Sequence, residues 1–359
     1  MKIGILGGGQ LGRMFLQVAS NGPDEIHILD PDPAAPAAAL TPHFHRGDFN
    51  DYDTVLAFGR PLDAIGIEIE HVNVAALRQL QAEGKRIIPD PAVLAVIQDK
   101  LEQKRFYAAH ALPTAPFVGC DGEALPPDAP ALPCIQKTRT GGYDGRGVQL
   151  LRTAAELWPG PTLLEALCPI AQELAVLVAR DEAGHQVVYP VMEMVFDPEL
   201  HLVDFVQMPA RLNDEDTAAA QALGERVAAA FGRPGLYAVE LFRSTGGELW
   251  VNETACRVHN SAHVSIEACL SSQFEQMYRL LAGLPLGSPE QLRPAAMLNL
   301  VGLGAEALPQ RALLAEAGVY LHWYAKAEAR PGRKMGHLTL LAPTAAALEE
   351  KVKKIKELS

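Results

Sequence analysis

Two glutamates flank a glycine turn between two strand-like segments, Leu236–Phe242 and Glu248–Val251. If Gly246-Gly247 forms a two-residue hairpin turn, Glu240 lies directly opposite Glu253. Opposed like charges destabilise a hairpin unless a cation lies between them. Mg²⁺ (or Mn²⁺) is suited to this position, because it takes a few carboxylate ligands and completes its shell with water and nucleotide phosphates. The pair therefore predicts a metal site, and the alternative is a shifted register that leaves one glutamate solvated.

A lysine at the end of a strand-like segment precedes a second glycine-rich stretch. Lys137 is followed by Thr138–Gly147, which does not match GxxxxGK[ST] and so is not a P-loop. A glycine lid with backbone donors and a preceding lysine suits a nucleoside triphosphate equally well. Further along, Glu165 and Glu173 either bind an adenine amino group and ribose hydroxyls or are solvated strand residues.

A first glycine loop follows the N-terminal strand. Gly7–Gly12 satisfies GxGxxG, and Asp30 ends the next strand, where the ribose-binding acid of a dinucleotide site stands. The physical content of the loop is weaker, since exposed N–H groups at a helix N-terminus attract any phosphate or carboxylate. The loop is consistent with an NAD site, with another anion site or with a tight strand–helix turn, and it does not decide the function.

The first ninety or so residues alternate between strand-like and helical patterns, and they begin the framework that positions these candidate residues. The predicted strands are Lys2–Leu6, Glu25–Leu29 and Ala64–Ile69, and the predicted helices are Leu11–Ser20, Asp53–Phe58 and Val74–Glu83. Such alternation predicts a parallel sheet with helices on its faces. Prolines between 89 and 133 then indicate a boundary followed by a helix and a loop.

The remainder of the chain has a different pattern. From Pro133 to Glu253 it shows β alternation and one long helix, Asp214–Phe231. A helix near Gln273–Leu281, short strands and a charged helix at Ala345–Leu358 complete the prediction.

Length and composition limit the class of protein. A chain of 359 residues with 48% hydrophobic residues is expected to form two or three globular domains. Its net charge of -12 argues against nucleic acid or an anionic membrane as the main partner. The five cysteines show no CxxC spacing, which favours reduced thiols. We see no signal peptide and no membrane-spanning run, so we expect a soluble, cytoplasmic protein.

Taken in order, these segments resemble ATP-grasp enzymes, and most closely the N5-carboxyaminoimidazole ribonucleotide synthetase family. The resemblance covers nearly the whole chain. Its marks are GGGQLGRM at Gly7–Met14, EIEHV at Glu68–Val72, QDKLEQK at Gln98–Lys104, KTRTGGYDGRG at Lys137–Gly147, NETACRVHNSAH at Asn252–His263, SQFEQ at Ser272–Gln276 and RPGRKMGH at Arg330–His337. It implies a mixed α/β and α+β class, an ATP-grasp fold with an N-terminal Rossmann-like (pre-ATP-grasp) domain and a small C-terminal domain. The implied domains are residues 1–95, 96–290 and 291–359.

The resemblance also implies roles for individual residues, and in this family the Gly7 loop belongs to the acceptor site. The implied metal ligands are Glu240 and Glu253, and the implied catalytic residues are Arg257, His259 and Asn260. The residues expected to bind ATP are Lys100, Lys137, Gly142, Tyr143, Asp144, Gly145, Arg146, Gly147, Glu165, Ala166, Leu167, Cys168, Glu173, Asn252 and Glu253. Those expected to bind the acceptor nucleotide are Gly9, Gln10, Leu11, Glu70, Tyr143, Asp144, Arg146, Arg257, His259, Asn260, Ser261, Lys326, Arg333 and Lys334.

The implied reaction is an ATP- and bicarbonate-dependent carboxylation of aminoimidazole ribonucleotide through carboxyphosphate, in purine biosynthesis. The implied assembly is a homodimer, with no nucleic-acid or membrane partner. This sequence departs from the family pattern at Cys256, Ala262, Phe196 and Lys100, where proline, glycine, histidine and often arginine are usual. Arg257 beside Cys256 is expected to depress the thiol pKa. No departure removes an implied metal ligand.

Three other interpretations stay open at this point. A formate-dependent glycinamide ribonucleotide transformylase is another ATP-grasp ligase with a different acceptor. An NAD-dependent dehydrogenase would explain GxGxxG and Asp30 but not the second glycine loop or the Glu240/Glu253 pair. A non-catalytic nucleotide-binding regulator would require that the departures have disabled turnover.

A basic segment near the C-terminus completes the candidate site. Lys326, Arg330, Arg333 and Lys334 lie within nine residues of an acidic chain. They form either a solvated turn around Pro331-Gly332 or a clamp on the acceptor's 5′-phosphate. In the second case the segment folds back onto the N-terminus of the helix that follows Gly7, whose N–H groups would bind the same phosphate.

Overall fold

The chain alternates strand and helix through most of its first ninety residues, as the sequence predicts, and two further strands, Phe44–Arg46 and Arg86–Ile88, were not predicted. The computed structural model describes residues 1–142, 147–196 and 203–358. The elements of this first part are β1 (Lys2–Leu6), α1 (Gln10–Ala19), β2 (Glu25–Asp30), β3 (Phe44–Arg46), α2 (Tyr52–Gly59), β4 (Ala64–Ile67), α3 (Val74–Ala82) and β5 (Arg86–Ile88).

These five strands form one parallel sheet in the order β3-β2-β1-β4-β5. The three central strands β1, β2 and β4 are mostly apolar and buried because helices cover the sheet, which is the expected Rossmann-like arrangement. The loop Gly7–Gly9 and residues from Glu68 onward leave the carboxyl ends of the adjacent strands β1 and β4. This edge of the sheet therefore faces the candidate site.

The next part forms a small antiparallel sheet preceded by two helices. Its elements are α4 (Pro91–Ile97), α5 (Lys100–Ala109), β6 (Phe117–Cys120), β7 (Cys134–Thr138), β8 (Val148–Leu151) and β9 (Thr162–Ala166). The strand order is β6-β9-β7-β8. Asp99 caps α5 by accepting N–H bonds from Leu101 and Glu102, and an ion pair with Arg139 ties this cap to the end of β7.

A nine-stranded sheet occupies the rest of the chain. Its elements and helices are β10 (Ile170–Arg180), β11 (Gln186–Val188), β12 (Met192–Phe196), β13 (Val203–Met208), α6 (Asp214–Phe231), β14 (Gly235–Ser244), β15 (Leu249–Ala255), α7 (Ser265–Ala268), α8 (Gln273–Ala282), β16 (Ala295–Val301), α9 (Gln310–Leu314), β17 (Val319–Trp323), β18 (Lys334–Leu341) and α10 (Ala345–Leu358). The order is β15-β14-β10-β12-β13-β16-β18-β17, and β11 pairs with β10.

The predicted long helix α6 has clear end signals. Asn213 caps its N-terminus, Asp214, Glu215 and Asp216 fill its first turn, and Gly232 ends it at a φ of 64°. The large sheet continues from β13 into β16, and α8 packs against α1, so the last segment is joined to both earlier parts. The domain limits at 95/96 and 290/291 stay predictions. Within the described ranges, no helix is long and apolar enough to cross a membrane.

Candidate active site

The acidic hairpin places Glu240 of β14 directly opposite Glu253 of β15, as predicted. The predicted two-residue turn is wrong, because Ser244 and Glu248 close the loop with a 2.8 Å backbone hydrogen bond and leave three residues between them. An irregularity at Asn252 then adds one residue to β15 and restores the predicted facing of the two glutamates. Such a bulge redirects side chains, and Asn252 Nδ2 lies 3.4 Å from Glu240 Oε2.

The two facing glutamates have opposite electrostatic surroundings. Burial raises the pKa of Glu240, and the neighbouring Glu253 carboxylate raises it further. The pKa of Glu253 is lowered, because the Lys100 ammonium forms an ion pair with it. Two part-buried carboxylates, whose side chains are 17% and 37% exposed, and the Asn252 amide oxygen are a hard-oxygen donor set, which fits a divalent cation such as Mg²⁺. Such a cation would offset the charge that now disfavours ionised Glu240.

One face of α5 is directed at β15. Lys100, Gln103, Lys104 and Tyr107 follow the helical spacing that places side chains on a single face. Gln103 accepts the backbone N–H of Thr254 at 2.7 Å, and the Tyr107 hydroxyl lies 2.7 Å from Thr254 Oγ1. These contacts hold both lysines beside the acidic hairpin.

Glu165 of β9 binds two lysines at once. Its carboxylate lies 2.9 Å from Lys137 Nζ and 3.2 Å from Lys104 Nζ. Burial alone would raise the pKa of Glu165, but the two ammonium groups outweigh it and lower the pKa. Lys137 also donates to Asn252 Oδ1 at 3.0 Å, which links β7 to the hairpin. The cations predicted to bind nucleotide phosphates therefore lie between the small sheet and the large one.

Lys104 is a site residue that the sequence interpretation did not assign. Its side chain is 4% exposed, and burial lowers its pKa to about 8 despite the attraction of Glu165. Its ammonium also donates to Thr114 Oγ1 at 2.8 Å. The available signal was the spacing of four residues from Lys100 within QDKLEQK, which puts both lysines on one helical face.

The other predicted ATP contacts lie around this cation cluster. Glu173 is part-buried on β10, and burial raises its pKa to about 7. The chain leaves β9 at Ala166 and reaches β10 through Leu167 and Cys168. Within the second glycine loop, Gly142 and Gly147 are described, whereas Tyr143, Asp144, Gly145 and Arg146 lie outside the described residues.

The acceptor-side residues form a second cluster next to the hairpin. Arg257 Nε lies 3.3 Å from Glu70 Oε1, and His259 Nε2 lies 3.7 Å from Glu240 Oε1. The other ring nitrogen of His259 lies 2.9 Å from Ser261 Oγ. Asn260 is set apart, since its side-chain amide bonds to that of Asn299 at 3.1 Å.

The first glycine loop is less open to a phosphate than the sequence predicts. Gly8 donates its N–H to Asp30 at 2.6 Å, and Gly12 donates its N–H to the part-buried carboxyl group of Glu68. The expectation that the N–H groups of Gly7–Gly12 bind the acceptor phosphate is therefore wrong for Gly8 and Gly12. Burial raises the pKa of Glu68, against the effect of the Gly12 N–H. Glu68 belongs to the EIEHV segment, and the sequence did not predict its contact with the glycine loop.

The same contacts bear on the dinucleotide interpretation. Asp30 accepts the N–H groups of Gly8 and Asp32, at 2.6 and 2.8 Å, so both of its carboxylate oxygens already have backbone partners. A ribose-binding acid would need an oxygen directed at the ligand. The geometry disfavours an NAD site at this loop.

The basic segment folds back onto α1, as predicted. Lys326 Nζ donates to Gln10 Oε1 at 2.6 Å and to the Lys334 carbonyl at 2.7 Å. Gln10, with Gly9 and Leu11, begins α1, so these residues and the segment share one region. Arg333 donates to the Glu328 carbonyl at 3.0 Å, whereas the exposed Arg330 pairs with the Glu328 carboxylate.

Arg257 acts to lower the pKa of the Cys256 thiol, as expected, but the net shift of that pKa is upward. Cys256 is 1% exposed, and its burial raises the thiol pKa well above the ordinary value. Glu70 adds to this effect, and the opposing effect of Arg257 is smaller. A buried, protonated thiol is unreactive.

Three family models match successive parts of the chain: a ribonucleotide synthetase preATP-grasp domain at residues 1–98, an ATP-grasp domain at 105–274 and a phosphoribosylaminoimidazole carboxylase C-terminal domain at 295–351. The N5-carboxyaminoimidazole ribonucleotide synthase of Synechococcus elongatus is 36% identical over 97% of this chain and 91% of its own length. The chain belongs to the N5-carboxyaminoimidazole ribonucleotide synthetase family of ATP-grasp enzymes.

Solved structures of the family agree with the fold. The synthetase of Thermus thermophilus has a TM-score of 0.89 and 36% identity, over 99% of this chain and 98% of that one. The synthase of Aspergillus clavatus, solved with ADP and 5-aminoimidazole ribonucleotide, has a TM-score of 0.91 and 30% identity over 99% and 98%. The ATP-grasp fold, with its preATP-grasp and C-terminal domains, is therefore confirmed.

Proposed function

We propose that this chain carboxylates aminoimidazole ribonucleotide with bicarbonate and ATP, as a carbon–nitrogen ligase of purine biosynthesis. The observation that carries the proposal is the facing, part-buried Glu240/Glu253 pair, which lies beside the Lys100 and Lys137 ammonium groups in one site. Phosphoryl transfer depends mainly on positioning and charge neutralisation, and this site has cations and cation ligands for both. The names and bound ligands of the relatives support the same activity.

ATP is proposed to lie between the small sheet and the hairpin. Lys100 and Lys137 would exchange their present partners, Glu253 and Glu165, for nucleotide phosphates. The strap Ala166–Cys168 would contact the adenine, and Glu173 the ribose. Gly142–Gly147 would close over the phosphates and exclude water, since carboxyphosphate hydrolyses readily.

Glu240 and Glu253, with Asn252 next to them, are proposed to hold Mg²⁺ or Mn²⁺ with the nucleotide. A bound ion would supply charge neutralisation for the phosphoryl transfer. The release of Lys100 from Glu253 would then be coupled to metal and nucleotide binding, because the same carboxylate serves both cations.

In the first chemical step, a bicarbonate oxygen attacks the γ-phosphorus of ATP, which forms carboxyphosphate and releases ADP. In the second, the acceptor amine attacks the carboxyl carbon, the carbon–oxygen bond to phosphate breaks, and the amine loses a proton. We propose that Arg257 and His259, beside Glu70 and Glu240, orient the bicarbonate and the amine. Asn260 would act from the adjacent turn.

The acceptor nucleotide is proposed to lie between α1 and the basic segment. Lys326 already reaches Gln10, and the remaining contacts are assigned by family resemblance. They are Gly9, Leu11, Glu70, Tyr143, Asp144, Arg146, Arg257, His259, Asn260, Ser261, Arg333 and Lys334. We also propose a homodimer and a cytoplasmic location, and light scattering of the purified chain tests the first.

ADP release by the purified chain tests the proposal. We expect release that requires Mg²⁺ and rises strongly when aminoimidazole ribonucleotide and bicarbonate are added together. Glycinamide ribonucleotide with formate is the matched control and should have little effect. Stimulation by that pair instead would assign a transformylase, and tight NADH binding without ATP turnover would assign a dehydrogenase.

A further inference from the structure

Four ionisable side chains cluster at the start of β2, away from the site described above. Glu25 and His27 lie two residues apart on β2, so they project from the same face of the sheet. His43 precedes β3 and lies beside them, since its carbonyl accepts the N–H of Ile28 at 3.0 Å. One ligand atom from each of Glu25, His27 and His43 lies within 4.8 Å of the other two.

The individual distances suit a small transition-metal ion. His27 Nε2 lies 2.6 Å from Glu25 Oε1, and His43 Nε2 lies 3.9 Å from the same oxygen. Zinc bonds to imidazole nitrogen and carboxylate oxygen are about 2.0–2.2 Å, so ligands of a tetrahedral ion lie roughly 3.3–3.5 Å apart. The two distances bracket that value. The His27 and His43 rings are stacked, with centroids 4.6 Å apart and planes inclined by 26°, so the part-exposed His43 ring would have to rotate out of the stack for both rings to reach one ion.

A fourth side chain orients the central ligand. His45 Nε2 lies 3.0 Å from His27 Nδ1. If a metal ion binds His27 Nε2, the ring must be neutral with its proton on Nδ1, and that N–H can donate to His45. Ligating histidines in metalloproteins nearly always donate their second nitrogen to an acceptor, usually a carboxylate, a backbone carbonyl or water, which fixes the tautomer and the ring plane. Here the His45 imidazole would take that place.

The surroundings favour a site that is accessible but separate from catalysis. The His27 side chain is 11% exposed, whereas those of Glu25 and His43 are each 38% exposed, so an ion can enter from solvent. The cluster lies at the N-terminal end of β2, and the Gly7 loop lies at the opposite, carboxyl end of the same sheet. Lys2 Nζ, 3.6 Å from Glu25, is the one competing cation that we identify among the described contacts, and it is half exposed.

We propose that Glu25, His27 and His43 form a binding site for a borderline transition-metal ion of the Zn²⁺ class, with water in the fourth position. Two imidazoles and one carboxylate select Zn²⁺, Cu²⁺ or Ni²⁺ over Mg²⁺, which prefers oxygen ligands only. The site does not depend on the proposed carboxylation activity.

Zn²⁺ alone is the probe, titrated calorimetrically into the metal-free full chain in the presence of excess Mg²⁺. We expect one Zn²⁺ per chain, and the same stoichiometry in E240Q, which weakens the active-site donor set. H43N should weaken binding at least tenfold, and H45N should weaken it by about ten- to a hundredfold through the orientation of His27. H185N is the matched control, because His185 is a surface histidine paired with Asp181 and should leave binding unchanged.

A second variant and a second readout keep the test independent of folding defects. E25Q changes a part-exposed side chain and should also weaken Zn²⁺ binding, and circular dichroism would show whether each variant folds. Co²⁺ bound to the wild-type chain should give the visible absorption of four-coordinate cobalt, which H43N should lose. Unchanged Zn²⁺ affinity in folded H43N and E25Q, or loss of binding in E240Q, would overturn the proposal.

Discussion

Two isosteric substitutions in the acidic hairpin, E240Q and E253Q, should change the free energy of unfolding in opposite directions. The two glutamates face each other, but only Glu253 pairs with Lys100. Repulsion between the two facing carboxylates, taken alone, would make either substitution neutral or slightly stabilising. The ion pair removes that symmetry.

The expected effect of E240Q follows from the raised pKa of Glu240. Burial, followed by the charge of Glu253, disfavours its ionised form in the folded protein. A raised folded pKa stabilises the protein at low pH, where the group is protonated in both states. That contribution is lost as the pH rises from about 4.5 toward 8. Each pKa unit corresponds to about 1.4 kcal/mol, and because the shift is shared with Glu253 we expect E240Q to stabilise by roughly 1–3 kcal/mol at pH 8.

E253Q should destabilise, because it leaves the Lys100 ammonium without its carboxylate. Removing one partner of a fully buried pair costs about 3–5 kcal/mol. Lys100 is 22% exposed, Glu253 is 37% exposed and Glu240 lies nearby, so we expect a smaller loss, about 1–3 kcal/mol. The lowered pKa of Glu253 contributes stability above about pH 4.5, so this loss should persist from pH 6 to pH 8.

Urea unfolding at pH 6 and pH 8, without nucleotide or divalent metal, measures both effects. E225Q is the control, since Glu225 is exposed on α6 and its substitution should change stability by less than about 0.5 kcal/mol. The stabilisation by E240Q should be larger at pH 8 than at pH 6. Equal destabilisation by both hairpin variants, or an E240Q effect independent of pH, would refute the electrostatic assignment.

Three further predictions concern single side chains. K104M should lower the free energy of unfolding by about 1–3 kcal/mol and raise the KM for ATP, because Glu165 loses one of two buried cations. Urea unfolding and steady-state kinetics measure the two effects, and wild-type values for both would show that Lys104 has no role in ATP binding. R333A should raise the KM for aminoimidazole ribonucleotide about ten- to a hundredfold, with little change in the KM for ATP. R330A is the exposed control, and an equal rise in both KM values would indicate that the segment is an ordinary surface turn. C256S should keep turnover, and alkylation of the native protein, followed by mass spectrometry, should show Cys168 modified before the buried Cys256. The reverse order of modification, or a C256S variant that folds but is inactive, would contradict this.

Local patterns predicted most of the fold because they carry their own end signals. The helix Asp214–Phe231 was predicted with its observed limits, since an asparagine cap, acidic residues and a terminal glycine mark it. The facing of Glu240 and Glu253 was also predicted, although the reasoning contained two errors. A longer turn and an unforeseen bulge at Asn252 cancel each other. Gly247, at a φ of 91°, fits the left-handed position of a three-residue turn, but a Gly-Gly pair is equally typical of a two-residue turn.

Features that depend on distant segments could not be predicted in this way. The Glu68 carboxylate accepts the N–H of Gly12 at the N-terminus of α1, although the two residues are 56 positions apart in the sequence. The glycine loop alone therefore indicated an anion site without showing which anion binds there. Lys104 and Glu165 meet only when α5 packs against β9. The Glu25, His27 and His43 group forms because β2 and β3 are neighbours, and β3 was not predicted from the sequence.

Transfer of an oxygen atom from bicarbonate to phosphate tests the proposed reaction most directly. With ¹⁸O-labelled bicarbonate, ATP, Mg²⁺ and aminoimidazole ribonucleotide, mass spectrometry of the released phosphate follows the label over a time too short for exchange with water. Attack of bicarbonate on the γ-phosphorus predicts one ¹⁸O atom in each phosphate formed, and E253Q should form almost none. Phosphate that carries no label, or that acquires its new oxygen from solvent water, would contradict the carboxyphosphate route and the function assigned to this site.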